Sequence, residues 1–444
     1  MTIKRLILGL VSITIGTWLL GLWLVPPAFN ARAWVHEVYF VNGVLAWVFM
    51  AFCLVTAARP AWLERFTKTP LDELYVYHRV LGWWALVLSF FHYFTKPLIQ
   101  PVISLLSLPR PEKIQPLINP DLWDVFWKAL RPIANTSAEW LTWSLLLICL
   151  LAVVRAVGYT RWLAIHKVLA VVFLGLTLHC VRLMETSDFM TPFGWWNLLV
   201  TAVGTWAALR ILFNRAGLEK TVTGTLVATE TIGHITRWRI RTSIASTVLP
   251  GQFVFVIYEG ERHPFSITSI RKNEIELVIK HLGDFTTNVV PSIEKGTQIN
   301  IEGPYGFFSP NFELNSQTWI ATGIGIAPFL AWLKYATQHK PKNVTLHWCI
   351  KDKTKEPLMV DVSQTCEAVG VHLKIYESKY GRATVDDLLV ERLKDSRSVA
   401  IVTLLKHYEK GGRVSPITFK RNILSGVTGR HRIPSIEICL VTKD

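Results

Sequence analysis

Six apolar segments in the first half constrain this chain more than any other feature. They cover residues 6–25, 38–57, 80–94, 141–157, 169–181 and 196–213. Each approaches the roughly 20 residues that cross a bilayer's hydrocarbon core. They predict a membrane all-α six-helix bundle over residues 1–216. The first segment lacks a small-residue cleavage pattern and is followed by further spans, so it reads as a retained helix rather than a signal peptide. Composition agrees: 51% of residues are hydrophobic and 18% charged, and fifteen of the nineteen tryptophans precede residue 217.

Cations in the short loops set an expected orientation. Lys4 and Arg5 precede the first segment, and Arg59, Arg65, Lys68 and Arg79 separate the second from the third. Arg155, Arg161 and Lys167 separate the fourth from the fifth, and Arg210 and Arg215 end the sixth. Six crossings put all of these on one side. The amino terminus and the soluble half are then cytoplasmic, in a plasma (inner) membrane, and the proline-bearing stretch 96–138 caps the outer face. The net charge of +15 forms no long basic block and no basic helix face, which favours membrane lipid over nucleic acid as a partner. The six cysteines show no C-x-x-C spacing, so neither zinc nor an iron–sulfur cluster is signalled.

Ionisable residues inside a membrane are costly, and these recur in a pattern. His78 and His92 lie fourteen residues apart in the third segment, and His166 and His179 thirteen apart around the fifth. At 1.5 Å per residue either gap is roughly 20 Å of helix. Both helices run outward, so His78 lies level with His166 and His92 with His179. Facing histidines at two depths are what two stacked b-type haems need, because paired imidazoles fill both axial positions of an iron. The plainer reading is that some of these histidines tie helices together. His36 reads as interfacial. Arg79 is either a propionate partner or a positive-inside anchor, and Gly175 marks a possible bend in the fifth helix.

After Arg215 the pattern changes. Short alternating runs at 221–228, 234–241, 252–256 and 274–279, bounded by turn residues, predict a small antiparallel β-barrel over 217–314. From residue 317 strand, glycine turn, helix and strand follow one another, predicting an α/β nucleotide-binding domain over 315–444. Gly323 and Gly325 would let a diphosphate reach a helix start. Pro328 breaks the full glycine signature, and a plain tight turn is the other reading.

Ordered motifs carry a resemblance. His263-Pro264-Phe265-Ser266-Ile267-Thr268 resembles the flavin motif of the ferredoxin–NADP reductase-like module in the ferric reductase and NADPH oxidase superfamily. Gly283-Asp284-Phe285-Thr286, Gly303-Pro304-Tyr305-Gly306 and Thr322-Gly323-Ile324-Gly325 resemble the next signatures, in their usual order. The histidine spacings are similar to that superfamily's haem ligands. The likeness spans residues 35 to 390 and implies a bacterial member of compact build.

The resemblance implies that His78, His92, His166 and His179 ligate two b haems. It implies that His263, Pro264, Phe265 and Ser266 contact FAD, with Phe265 stacked on the ring, and that Gly283, Asp284 and Thr286 hold its pyrophosphate. Thr322, Gly323 and Gly325 would receive NADPH or NADH. Lys351 and Lys353 either discriminate a 2′-phosphate or line a solvated loop. No nucleophile or acid–base residue is required.

The ending departs from the family. A strand at 399–405 is followed by Lys406-His407-Tyr408 and not by Cys-Gly-Pro, and no terminal aromatic closes the chain. The tail is either divergent or the product of a shifted reading frame. The expected activity is transmembrane electron transfer from cytoplasmic NAD(P)H through FAD and two haems to Fe3+ chelate, O2 or a periplasmic redox protein. The alternatives are a haem-binding electron-transfer subunit with a degenerate nucleotide site serving a protein partner, and a non-haem transporter with a fused flavodomain.

Overall fold

Helix is the one open conformation that satisfies its own backbone in lipid, and the described residues of the apolar half take it in seven stretches. In a computed structural model of the chain the helices are α1 (Ile3–Leu24), α2 (Ala31–Ala58), α3 (Ala61–Thr67), α4 (Leu71–Leu105), α5 (Leu122–Val154), α6 (Tyr159–Arg182) and α7 (Pro192–Leu212). The structure describes residues 3–27, 31–105, 122–154, 159–184, 188–306, 308, 317–336, 343–380, 399–406 and 436–443. The chain divides into two compact units, Met1–Glu219 and Lys220–Asp444.

Among the described residues five helices are long and apolar enough to cross a membrane: α1, α2 and the central parts of α4, α5 and α6. The chain is a multi-pass membrane protein. The sixth expected span, α7, is not among the five, since its tryptophans, Asn197 and Arg210 dilute its apolarity. It nevertheless runs beside the others along its length. Phe193 meets Phe40 edge-on at 5.5 Å. Trp196 Nε1 donates to Thr14 Oγ1 (3.0 Å) in α1, and Trp47 Nε1 of α2 donates to Thr201 Oγ1 (2.9 Å). Buried indole N–H groups need such partners, so this bundle uses tryptophan to tie helices as well as to fill space. Trp23 and Trp140 are 77% and 72% exposed, placing large apolar rings where lipid would lie.

The stretch 96–138, expected as an outer loop, is largely helix. α4 continues through Pro97 and Pro101, and α5 contains Pro132. In apolar surroundings a helix keeps most of its hydrogen bonds around a proline, so the punctuation rule of soluble chains fails. Residues 106–121 of that stretch lie outside the described residues. α6 runs as one continuous helix through Gly175. A Cβ there would sit 2.6 Å from Cδ1 of Leu141, so the glycine serves close packing of α6 on α5.

At one end of the bundle several helix ends converge. Lys167 Nζ donates to Asn214 Oδ1 (2.9 Å), Arg210 pairs with Glu219 (2.9 Å), and the Ala61 N–H donates to Glu219 Oε2 (2.7 Å). Three of the predicted anchors, Arg59, Lys167 and Arg210, thus belong to the same end. Arg155 and the side chain of Arg161 lie outside the described residues.

In the second unit, β1 (Thr221–Ile232), β2 (Ile235–Arg241), β3 (Phe253–Tyr258), β4 (Glu261–Arg271), β5 (Glu274–Lys280) and β6 (Gln298–Tyr305) close a barrel in the order β1-β2-β5-β4-β3-β6. Every pairing is antiparallel. β3 and β4 form a hairpin whose two turn residues, Glu259 and Gly260, both take left-handed φ, as such tight hairpins require. Trp238, Val254, Ile267, Leu277 and Ile301 fill the interior.

The remaining strands are β7 (Gln317–Thr322), β8 (Val344–Ile350), β9 (His372–Glu377), β10 (Val399–Lys406) and β11 (Ile436–Lys443), with α8 (Ala327–Ala336) and α9 (Met359–Val369) between them. They form a parallel sheet ordered β11-β10-β7-β8-β9. Trp319, Trp332, Trp348 and Phe329 are fully buried in its core. The atypical tail supplies β11, which adds to β10 along its whole length. Gly251 (φ +90°) brings barrel and sheet together, since a Cβ there would collide with the Phe308 carbonyl, which accepts from Trp332 Nε1 (3.0 Å).

Candidate functional site

The membrane unit brings its histidines together across helices. The rings of His78 (α4) and His166 (α6) lie 5.9 Å apart, centre to centre, with planes crossed at 70°. Two imidazoles bonded to one metal at about 2 Å each place their ring centres roughly 6 Å apart, so this spacing admits an iron between them. His78 Nδ1 lies 3.0 Å from the Cys53 carbonyl and 3.3 Å from Thr56 Oγ1, both on α2. A carbonyl can only accept, so Nδ1 holds the proton and Nε2 keeps a bare lone pair.

His92 repeats this arrangement near the other end of α4. Its Nδ1 is 3.2 Å from the Tyr39 carbonyl, and its ring stacks on the Tyr39 ring at 4.1 Å. Gly43 makes room for it: a Cβ at that position would lie 2.6 Å from the His92 ring. His179 lies near enough to act electrostatically on His92. Between the two levels Trp47 and Phe173 stack face to face at 3.9 Å. Among the described residues no group of three or more His, Cys, Asp or Glu side chains forms a metal cage. Axial ligation of haem needs only two imidazoles per iron.

Sequence reasoning singled out the histidines and missed Cys53, Thr56, Tyr39 and Gly43. Cys53 and Thr56 stand three residues apart on one face of α2, but that spacing is common in packed helices. The hydrogen bonds of His78 and His92 to Cys53 and Tyr39 run in part to main-chain carbonyls, which leave no trace in a sequence.

In the barrel, β4 carries the flavin motif. His263 and Pro264 lie near its start, close to the β3–β4 turn, where His263 stacks on Phe285 (3.8 Å) and its Nε2 meets Glu261 (2.9 Å). Ser266 is half-buried opposite Phe253. Phe265 is only 7% exposed and packs with the barrel core, so its ring forms the wall behind the motif. Gly283 and Asp284 are exposed, and nothing lies within 4 Å of a Cβ built on Gly283. The Thr286 hydroxyl is engaged within the turn, accepting from the N–H groups of Leu282 (2.9 Å) and Gly283 (3.1 Å). An open glycine turn beside a stacked aromatic pair is a place a planar cofactor with a diphosphate could occupy.

In the sheet, Thr322 ends β7, and Gly323 and Gly325 lead from it into α8. Gly323 takes φ +48° with open space at its Cβ position, and its carbonyl accepts from Trp348 Nε1 (3.0 Å). β7 has β8 on one side and β10 on the other, so this turn sits where the strand order reverses, the usual ligand crevice of such sheets.

Lys353 is drawn into an ion-pair cluster beyond β8. Its N–H donates to Glu377 (3.0 Å), and Lys379 bridges Glu377 and Asp352 at 3.0 Å each. Hydrogen bonds from Thr354 and Lys379 hold the Asp352 carboxyl down to about 2. Lys351 is exposed. Burial pushes the Cys349 thiol up to about 11 and the Cys366 thiol up to about 12, so neither is a reactive thiolate at neutral pH. The residues that would follow β10 into the crevice, 407–435, lie outside the described residues.

Residues 42–177 match the family described as ferric reductase like transmembrane component, and residues 235–309 match the FAD-binding domain family. A curated relative, Protein RfbI of Salmonella typhimurium, is 26% identical over 122 residues, covering 26% of this chain and 37% of that protein. The chain thus matches little more than a third of that relative's length.

Two solved structures are distantly similar. The FAD/NAD-binding domain of a Vibrio cholerae nitric oxide dioxygenase is 16% identical over 50% of this chain and 98% of its own, with a TM-score of 0.38. A Malassezia yamatoensis flavohemoglobin, solved with FAD and heme, is 14% identical over 93% of this chain and 97% of its own, with a TM-score of 0.44. Likenesses at those scores assign nothing to the chain. Taken in order along the sequence, the two family matches show a ferric-reductase-like transmembrane domain fused to an FAD-binding module, the pairing of the ferric reductase and NADPH oxidase superfamily.

Proposed function

We propose that the chain carries electrons across the membrane, from cytoplasmic NAD(P)H through FAD and two b-type haems to Fe3+ chelate or O2 on the far side. The observation that carries this reading is the pair of rings, His78 and His166, facing each other at 5.9 Å from different helices. When bound, a flavin supplies the change from two-electron to one-electron chemistry, and haem iron supplies the one-electron relay. The protein's part is placement. His78 and His92 each give the Nδ1 proton to a carbonyl of α2 and present Nε2. His166 and His179 answer them from α6, one level apart.

On the soluble side His263, Pro264 and Ser266 line the flavin edge, with Phe265 as the wall behind. Gly283 and Asp284 approach the pyrophosphate, and Thr286 fixes their turn. Thr322, Gly323 and Gly325 receive the nucleotide, and the salt-bridged Lys353 leaves Lys351 as the freer candidate for a 2′-phosphate. α7 acts as the sixth span, so both termini of the bundle are cytoplasmic.

A second reading keeps the haems but makes the nucleotide site degenerate, serving a protein partner. The departure from Cys-Gly-Pro after β10 favours it. A visible spectrum of the purified protein in detergent, with haem and flavin quantified, separates the readings once NADPH or NADH is added anaerobically. Nucleotide-driven reduction of a b-type band supports the full chain, and Fe3+ chelate or O2 added next identifies the acceptor. Bound haem that neither nucleotide reduces supports the second reading. Absence of a b-type band overturns both and leaves a membrane transporter with a fused flavodomain.

A further inference from the structure

The two histidine levels are not equivalent in what holds them. Around His78 three atoms of α2 crowd the Nδ1 edge: the Cys53 carbonyl at 3.0 Å, Thr56 Oγ1 at 3.3 Å and Cys53 Sγ at 3.3 Å. The sulfur is nearer Nδ1 than Nε2, which it approaches only to 3.9 Å. The carbonyl has no proton, and the hydroxyl and the thiol have theirs committed elsewhere. Thr56 Oγ1 donates to the Cys53 carbonyl (2.7 Å), and Cys53 Sγ donates to the His78 carbonyl (3.4 Å). All three therefore face Nδ1 as acceptors, and the proton on Nδ1 is shared among them. His92 has one such acceptor among the described residues, the Tyr39 carbonyl at 3.2 Å.

A histidine that donates its Nδ1 proton more strongly becomes a more basic ligand through Nε2. A more basic axial ligand stabilises the oxidised metal and lowers its reduction potential. We infer that Cys53 and Thr56 are positioning residues that act through His78 to make the His78/His166 level the lower-potential of two iron sites, so that transfer toward the His92/His179 level runs downhill. The inference rests on the bis-histidine haem reading above and adds a direction to it. It also gives a role to an intramembrane thiol that would otherwise be simple packing.

The test is a redox titration of the full chain in detergent, followed through the reduced b-type band. The wild type is expected to show two separable midpoint potentials. Cys53→Ala/Thr56→Val leaves His78 with a single carbonyl acceptor, as His92 has. It should move only the lower potential, and move it upward, so that the gap narrows. Cys53→Ser/Thr56→Ser keeps an acceptor at both positions and should keep the gap. Loss of one haem of two in the first variant, with full retention in the second, supports the same role. An unchanged gap in the first variant overturns the inference, as do a shift of the higher potential alone, equal shifts in both variants, or a wild type with one potential. If the wild type shows no b-type band, it is the underlying haem reading that fails.

Discussion

A methyl group at position 43 would lie 2.6 Å from Cε1 and 2.7 Å from Nδ1 of His92, closer than packed atoms tolerate. Gly43→Ala must therefore displace that ring or part α2 from α4. Overpacking of this kind costs about 1–3 kcal/mol. A drop in Tm of the detergent-solubilised chain, together with loss of about half the haem absorbance, is the expected outcome. An unaltered spectrum would show that His92 is not held as described.

Asp352 makes a different kind of prediction. Its folded pKa of about 2 lies below the unfolded value of roughly 3.9, so its ion pair is intact above about pH 4 and is lost as pH falls toward 2. Asp352→Asn should be slightly destabilising at neutral pH, with a Tm difference from wild type that closes between pH 4 and 2. A constant difference across that range would contradict the assignment. At this scale the histidines were legible because four costly residues in matched pairs are improbable by accident. The placement of Phe265 was half-legible: it shares strand parity with the core residue Ile267, which points it inward whatever a motif suggests.

Elements were read more easily than their ends. α4 was anticipated as 80–94 and runs from Leu71 to Leu105, because proline and polar residues stop helices in water but not in apolar surroundings. β4 and β6 are not among the expected runs, since prolines at 264 and 304 interrupt their alternation, yet both strands pair in the barrel. α7 is the informative exception. Hydropathy leaves it out, while its contacts with α1 and α2 run along it from Phe193 to Thr201. Trp196 and Asn197 are polar on a scale, yet Trp196 bonds Thr14 and Asn197 is buried in the bundle. If α7 crosses, a fluorescent protein fused after Arg215 fluoresces in cells and a phosphatase fused there, active only outside, stays silent. The opposite pair of results would leave five crossings and reverse the side on which the soluble unit lies.

Over the whole molecule, the net charge of +15 resolves into local duties. Arg59, Lys167 and Arg210 collect at one end of the bundle. Within the second unit, Arg237–Asp361 (3.1 Å) and Lys334–Glu276 (3.2 Å) link barrel to parallel sheet. Composition shows two unlike halves, but not the order of the sheet, because parallel pairing depends on strands far apart in the chain. That order has a consequence in time. β7 lies at the centre of the sheet, with β8 following it directly and β10 only after β8 and β9 have been made. At roughly 5–20 residues per second of synthesis, the inner strand of the finished sheet spends seconds as a bare edge. Nascent chains on crowded ribosomes could pair through that edge, so yield in the cell is governed by how quickly the last two strands arrive as well as by the stability of the finished protein.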